Sequence, residues 1–451
     1  MPRGSFATWM LSQEARALRA RLDRVRPISV QETMVPAAAP SAAALAEIED
    51  FLADGRRDLR TRIDAFLEWL DEPSGVAASP AAANRRFTFL RLRFNAILTQ
   101  LDIFSQAMSQ RSEADTGVFL RGLEVAATDA MSLPGHLEVP PVLCYLARDA
   151  GGAIRRARTR LPGGGSNPVA LIRLPRERMI GSGIASSLVH EAGHQAADLL
   201  DLVPELRAAL TPPWPNAMTP PALQAHWARW ISEIVADLWA IARVGVTSTL
   251  GLISLVSLPR AFVLRVHPQD PHPAPWIRVR MSCALGDALY PHPQWRRLAE
   301  LWASFYPLDS TSPESTALFE ALDSSIGEAI DRILGCRPRA LGGAVLGTAL
   351  RLPDRAPDRL SRSYDRWQRQ PRLRSLASPC LAFAVLGQAR FDGAISPESE
   401  SRSIAGLLKH WALDSALTHA RRCGLGRRDA LVQSVSGVGS TYSGVLLRRS
   451  S

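Results

Sequence analysis

Proline limits what this chain can fold into more than any other residue type, because 33 of its 451 residues are proline and they occur throughout the sequence. Proline breaks the interior of helices, so a long coiled coil is excluded. Apolar residues make up 46% of the chain and charged residues 21%, which is typical of a globular protein with a substantial core. At about 100–200 residues per domain, a chain of this length should contain two or three domains.

The net charge of +10 comes almost entirely from arginine, since Lys409 is the only lysine. The arginine pairs are scattered along the chain. A nucleic-acid-binding protein more often gathers such residues on one stripe with interleaved aromatic side chains. Nucleic-acid binding is therefore the least favoured of the functions kept open.

The sequence predicts neither a membrane span nor a secretory segment. The longest uncharged apolar run, residues 244–259, is shorter than the roughly 20 residues that a spanning helix needs, and it predicts a buried helix. Residues 1–5 lead into a charged amphipathic stretch without the apolar centre of a signal peptide. We expect a cytoplasmic protein, and the oligomeric state stays open.

Hydrophobic spacing divides the chain into regions with helix-like and strand-like patterns. Apolar residues recur at helical intervals over 42–70, 86–110 and 117–131, which predicts an antiparallel helical unit. Val142–Leu146 and Val169–Leu174 are short apolar runs between glycine-rich turns, and they predict strands of a small sheet. Helices are predicted again at 184–202 and 223–243, on either side of a proline-rich loop.

The predicted fold class is α+β and predominantly helical. The expected regions are an N-terminal helical region 1–133, a core 134–300, a C-terminal helical region 301–433 and a flexible tail 434–451. Within the C-terminal region, Ser312 and Ser396 each open a Ser-Pro-Glu-Ser sequence. Serine caps a helix, proline suits its first position and glutamate favours its positive end, so both sequences predict helix starts.

The most informative motif is His-Glu-Ala-Gly-His at residues 190–194. His190 and His194 are four residues apart, so on a helix their rings project from one face and can bind one metal ion. Glu191 is placed to reach a water on that metal. Gly193 costs a helix up to about 1 kcal/mol relative to alanine, which indicates that a strand or a substrate approaches closely there.

Two acids lie four residues apart on the next predicted helix. Glu233 and Asp237 stand among tryptophan, isoleucine and leucine residues, and buried carboxylates are costly unless they are paired or bind a metal. Two histidines and Glu233 leave an open position for water, as in catalytic zinc sites. Asp237 is placed to hold the second ring nitrogen of a ligating histidine, most favourably His190. Alternatively, the acids pair with Arg229 or Arg243 on a solvated face.

The motif HEAGH followed by E-x-x-x-D resembles the gluzincin metallopeptidases, the clan of thermolysin and of the HtpX-like proteases. The resemblance covers residues from about 168 to 280 and implies a zincin-like catalytic core. Carried over by position, it implies that His190, His194 and Glu233 bind Zn²⁺. It also implies that Glu191 is the general base and that Asp237 supports a ligand.

A later segment, Asp270–Arg278, is similar to the His-Pro element with a following arginine in HtpX-like proteases. There the element lies near the active site, so the resemblance implies that His272 or Arg278 polarises a substrate carbonyl. His267-Pro268 and His292-Pro293 are competing His-Pro pairs. The membrane spans of HtpX-like proteases have no counterpart in this sequence.

The leading hypothesis is a zinc metallopeptidase that acts on a protein or peptide, with residues 169–174 as the sheet edge that an extended substrate would pair with. The first alternative is a catalytically inactive zincin-like protein that serves as a binding or scaffold module. The second is an arginine-rich helical protein that binds nucleic acid and carries HEAGH by coincidence.

Overall fold

The structure is a computed structural model that describes residues 6–25, 33–148, 151–162, 164–176, 181–215, 217–267 and 269–442. For residues 114, 310 and 424–442 it describes the backbone alone. Residues 1–5, on which part of the localisation prediction rests, and residues 443–451 of the expected tail lie outside the described residues.

Helices precede the sheet, as the apolar spacing predicts. They are α1 (Phe6–Asp23), α2 (Ala42–Asp71), α3 (Pro73–Val76), α4 (Pro80–Ser109) and α5 (Ala114–Met131). The three predicted segments correspond to α2, α4 and α5, although α4 begins at residue 80 rather than 86. Apolar side chains of α1, α2 and α4, among them Leu18, Ile63 and Phe94, form a separate N-terminal cluster.

The sheet observed in the described chain is small. Its strands are β1 (Val142–Ala147), β2 (Ala153–Arg155) and β3 (Ala170–Pro175), in the order β1-β3-β2. β1 runs parallel to β3 and β2 runs antiparallel to it, so that Cys144 and Ile154 both lie opposite Ile172. The prediction that residues 169–174 form an edge strand was wrong. β3 is central, and five of its six residues are buried, with Arg173 as the exception, as expected for a strand that is covered on both faces.

The central helices follow the sheet. They are α6 (Ser182–Leu199), α7 (Leu202–Leu210), α8 (Pro221–Val244), α9 (Val246–Val256), α10 (Arg260–Val263), α11 (Pro275–Leu289) and α12 (Pro293–Phe305). The single helix predicted over 184–202 ends at residue 199, because Asp201 takes a left-handed φ of 50° and a new helix begins after it. α9 occupies the apolar run at 244–259, where a buried helix is predicted.

The C-terminal part is also helical. It contains α13 (Pro313–Gly335), α14 (Leu346–Leu350), α15 (Pro357–Arg369), α16 (Arg372–Leu376), α17 (Pro379–Phe391) and α18 (Pro397–Tyr442). Ser312 Oγ and Ser396 Oγ accept hydrogen bonds from backbone N–H groups three residues on, so both predicted helix starts are confirmed. α18 continues through residues 434–442, which were expected to belong to the tail.

The largest apolar cluster extends from Leu120 on α5 to Trp411 on α18 and crosses residues 133 and 300, the expected boundaries. α6 passes through it, with Leu188 and Ala192 fully buried. A third cluster joins α2 and α4 to the opposite face of the sheet. The fold is therefore α+β and predominantly helical, as predicted. Within the described residues, no helix has both the length and the apolar character needed to cross a membrane.

Candidate metal centre

Helices α6 and α8 pack against each other at Gly193. A Cβ atom at this position would lie 3.0 Å from the carbonyl oxygen of Ala236 and 3.0 Å from Cβ of Trp239. Glycine therefore lets the two backbones approach closely. The expected close approach is present, but a helix makes it rather than the strand or substrate that we expected.

This packing brings His190 and His194 of α6 against Glu233 of α8. His190 Nε2 lies 3.4 Å from Glu233 Oε2, and His194 Nε2 lies 3.4 Å from Glu233 Oε1. One ligand atom from each residue lies within 4.8 Å of the other two. Donors held tetrahedrally at about 2.1 Å from zinc are about 3.4 Å apart, so the donor types and spacing fit this ion.

Asp237 lies behind the three residues and orients one of them. Its Oδ1 is 2.8 Å from His190 Nδ1, which leaves Nε2 of the same ring facing Glu233. This is the contact expected for an acid that supports a ligating histidine. Asp237 and Glu233 are 6% and 8% exposed, so neither belongs to the solvated face of the alternative interpretation.

The cation that pairs with both acids is Arg278, on α11. Its Nε and Nη2 donate to the two carboxylate oxygens of Asp237 at 2.7 and 2.9 Å. Nη2 also lies 3.2 Å from Glu233 Oε2 and 3.4 Å from His190 Nε2. The sequence-based alternative named Arg229 or Arg243 as the partner and missed this pairing. The predicted carbonyl-polarising role of Arg278 stays a prediction.

Among the competing His-Pro pairs, the structure brings His272 next to the candidate metal centre, which consists of His190, His194 and Glu233. His272 Nε2 lies 3.7 Å from Glu233 Oε1, while its Nδ1 lies 2.7 Å from Asp270 Oδ1. His267 and His292 instead accept hydrogen bonds from backbone N–H groups two residues further along. His272 is half-exposed, so it is accessible to a substrate, although its predicted role is untested.

Glu191 lines the same cavity, which has a volume of about 530 Å³ and also contains Ser186, Ser187, Leu252 and Leu255 on its walls. The loop before β2 lies close to this carboxylate, because a Cβ atom on Gly152 would be 2.7 Å from Glu191 Oε1. Burial raises the pKa of Glu191 above its ordinary value. A carboxylate with a raised pKa is suited to proton transfer near neutral pH.

The pKa values of the two histidines and of Glu233 shift in different directions. Burial lowers the pKa of His190, but the Asp237 and Glu233 carboxylates outweigh it and raise this pKa to about 10. Burial and the charge on His190 lower the pKa of His194 to about 4. Burial raises the pKa of Glu233, but His190 and Arg278 outweigh it and bring this pKa to about 2. At neutral pH, His194 and Glu233 therefore have the neutral and ionised forms that bind metals, whereas His190 is protonated and has to release this proton when a metal binds.

Sequence reasoning missed a buried contact at the beginning of α6. Glu400, on α18, is fully buried and accepts a hydrogen bond from Ser182 Oγ. Arg390 Nη1 lies 3.2 Å from its other oxygen. The Ser-Pro-Glu-Ser sequence nearby predicts the start of α18 but carries no signal for where this helix packs. The C-terminal region therefore helps to hold the helix that carries His190 and His194.

No protein-family model, curated protein or solved structure matches this chain. The resemblance to gluzincin peptidases consequently depends on the motifs alone, and the function of the centre has to be inferred from its own geometry.

Proposed function

We propose that the chain is a zinc metallopeptidase that hydrolyses peptide bonds, with a zincin-like core formed by the sheet, α6 and α8. The observation that carries this proposal is the convergence of His190, His194 and Glu233 in an open cavity beside Glu191. Two imidazoles and one carboxylate are the donor set of catalytic zinc sites, which keep a further position for water.

Zinc held by these residues would supply a water of lowered pKa and polarise the scissile carbonyl. Glu191 accepts the proton of the attacking water on its carboxylate and passes it to the leaving nitrogen, a transfer that its raised pKa favours. Asp237 holds Nδ1 of His190, so Nε2 of that ring stays directed towards the centre. Arg278 fixes Asp237 through its two hydrogen bonds.

The substrate would bind as an extended segment along β2. This strand is one of the two edges of the described sheet, and its residues Ala153 and Ile154 line the cavity that contains Glu191. An exposed edge offers unpaired backbone groups to a peptide, which can add to the sheet as a further strand. β2 therefore takes the place of residues 169–174 in the sequence-based hypothesis.

The test is metal content measured by mass spectrometry on purified protein. We expect about one zinc per chain in the wild type and none in the His190→Ala/His194→Ala variant. The matched control is His136→Ala/His410→Ala, which removes two exposed histidines and should keep the metal. A wild-type chain that takes up no zinc after reconstitution contradicts the proposal.

Turnover separates the peptidase from a zincin-like binding module, since both would hold zinc. The zinc-loaded wild type is incubated with a broad peptide library, and new amino termini are identified by mass spectrometry. Cleavage that the double histidine variant lacks supports the peptidase. Zinc binding without any cleavage would favour the binding module.

A further inference from the structure

Strand β2 separates two cavities that lie on opposite faces of the sheet. The first contains the metal centre, and the second has a volume of about 580 Å³ and lies beside α4. Ala153, Ile154 and Arg156 line both cavities. A peptide that pairs with β2 therefore runs between them, with successive side chains directed alternately into one and the other.

The register of the sheet shows which residues face each cavity. Ile154 lies opposite Ile172, whose side chain belongs to the core cluster around α6. Ala153 lies opposite Arg173, and Arg155 lies opposite Leu171, which packs in the cluster with α2 and α4. Arg155 and Arg173 therefore lie on the face away from the metal centre.

The second cavity has a one-sided charge. Arg155, Arg156 and Arg173 line it, and none of the described residues that line it is an aspartate or glutamate. Arg156 pairs with Asp198 at 2.7 Å, whereas Arg155 is exposed at the end of the strand. The metal-centre cavity has charges of both signs, because Arg156 and Arg278 line it together with the carboxylates of Glu191, Glu233 and Asp237. An anionic side chain is therefore attracted to the arginine-lined cavity.

We propose that the substrate segment is acidic at alternate positions, with aspartate or glutamate side chains directed towards Arg155. This inference rests on the proposed function, which identifies the ligand as a peptide substrate. Side chains that point to the opposite face meet the metal centre and the apolar wall at Leu252 and Leu255. Arg155 is the specificity residue, because it is exposed on the edge strand itself.

Binding is measured first, on the zinc-loaded Glu191→Gln chain, by fluorescence anisotropy. The probes are three labelled peptides in which threonine alternates with glutamate, glutamine or lysine. We expect the glutamate peptide to bind about fivefold more tightly than the glutamine peptide, and the lysine peptide to bind most weakly. The difference should shrink as salt is added, because the guanidinium of Arg155 is solvent-exposed.

The Arg155→Glu substitution in the same background should reverse the order of the glutamate and lysine peptides. Its matched control is Arg91→Glu, which changes an exposed arginine on α4 that lies about 18 Å along the helix from the cavity-lining Ile103. This control should keep the preference for glutamate. Equal binding of the three peptides, or a preference that Arg155→Glu leaves unchanged, overturns the inference.

Cleavage by the wild type then tests the proposed function separately. If the alternating glutamate peptide binds through Arg155 but no peptide is cleaved, the peptidase proposal fails and the acidic preference stands as a binding property. If peptides are cleaved without any dependence on acidic residues, the peptidase proposal stands and the inference fails.

Discussion

Asp237 contacts His190 through one oxygen and Arg278 through both, and the two contacts depend on each other. The guanidinium offsets the charge that Asp237 would otherwise bury alone. The fixed carboxylate in turn sets which nitrogen of His190 faces the centre. One buried residue thus links a proposed metal ligand on α6 to the helix that follows the Asp-Pro-His-Pro segment.

Replacing Asp237 by alanine should therefore lower both stability and zinc affinity. Arg278 loses both hydrogen bonds to Asp237, and we expect the free energy of unfolding to fall by about 3 kcal/mol. Zinc affinity should fall by about 10- to 100-fold, because His190 loses its orienting partner. Urea unfolding of the metal-free chain and zinc titration against a competing chelator measure the two effects.

Asp64→Ala serves as the control for this prediction, because Asp64 pairs with Arg19 at 2.9 Å on the exposed surface of α2. An exposed ion pair contributes at most about 1 kcal/mol, so this variant should unfold near the wild-type midpoint and bind zinc normally. If Asp237→Ala behaved like Asp64→Ala, the orienting role of Asp237 would be wrong.

Glu191→Gln tests the proton-transfer step without removing a proposed ligand. The amide keeps the size of the side chain but cannot accept the proton, so we expect peptide cleavage to fall by at least about 100-fold. The zinc content should stay at about one ion per chain. Mass spectrometry for zinc and a fluorogenic peptide assay give both readouts, and retained turnover would refute the assigned role.

At the scale of elements, the packing of α6 on α8 depends on the missing side chain at Gly193. Gly193→Ala places a methyl group 3.0 Å from backbone and side-chain atoms of α8, and we expect this overpacking to cost about 1–3 kcal/mol. The displacement should also weaken zinc binding, because the ligands come from both helices. Thermal unfolding and zinc titration measure these effects.

Gly327→Ala is the matched control on α13. A Cβ atom there meets nothing within 4 Å, and the residue is exposed in a helix interior. Alanine at this position should stabilise the helix by up to about 1 kcal/mol and leave zinc affinity unchanged. If both variants changed stability in the same direction, close packing at Gly193 would not explain why glycine occurs there.

Hydrophobic spacing predicts the positions of many elements, because buried apolar residues recur at the period of a helix or a strand. It locates α2, α4, α5 and the two long strands, and it correctly indicates that the helix bearing Glu233 is buried. β2 was missed because it has only three residues, none of them fully buried. The break between α6 and α7 was missed because apolar spacing continues through Asp201, whose left-handed backbone ends the helix.

The candidate site could be predicted only where the partners lie on a single helix or carry a recognisable motif. The i, i+4 spacing determines that His190 and His194 share a face, and the same holds for Glu233 and Asp237. The partnership of Asp237 with Arg278, 41 residues away, depends on how α11 packs. Neither this packing nor the order of the strands has a local signal. The pairing of Arg278 with Asp237 and the identity of the sheet edge therefore required the structure, although the His-Pro resemblance had already placed Arg278 near the site.

At the scale of the whole molecule, the C-terminal helix completes the core instead of forming a separate unit. The backbone of α18 at Leu408 packs so closely on α5 that Gly122 leaves no space for a Cβ atom. Leu408 is fully buried in the same apolar cluster as Leu188 and Val189 of α6. Because Glu400 also contacts Ser182, α18 is joined to the helix that carries the metal centre.

We therefore expect a cavity in α18 to destabilise the metal centre. Leu408→Ala should lower the free energy of unfolding by about 2–5 kcal/mol, whereas Leu413→Ala, 51% exposed on the same helix, should change it by less than about 0.5 kcal/mol. Because one cluster contains both regions, loss of helical circular dichroism and release of zinc should move together to lower urea. Zinc release that stayed at the wild-type midpoint while α18 unfolded would show that the centre is stable without this helix.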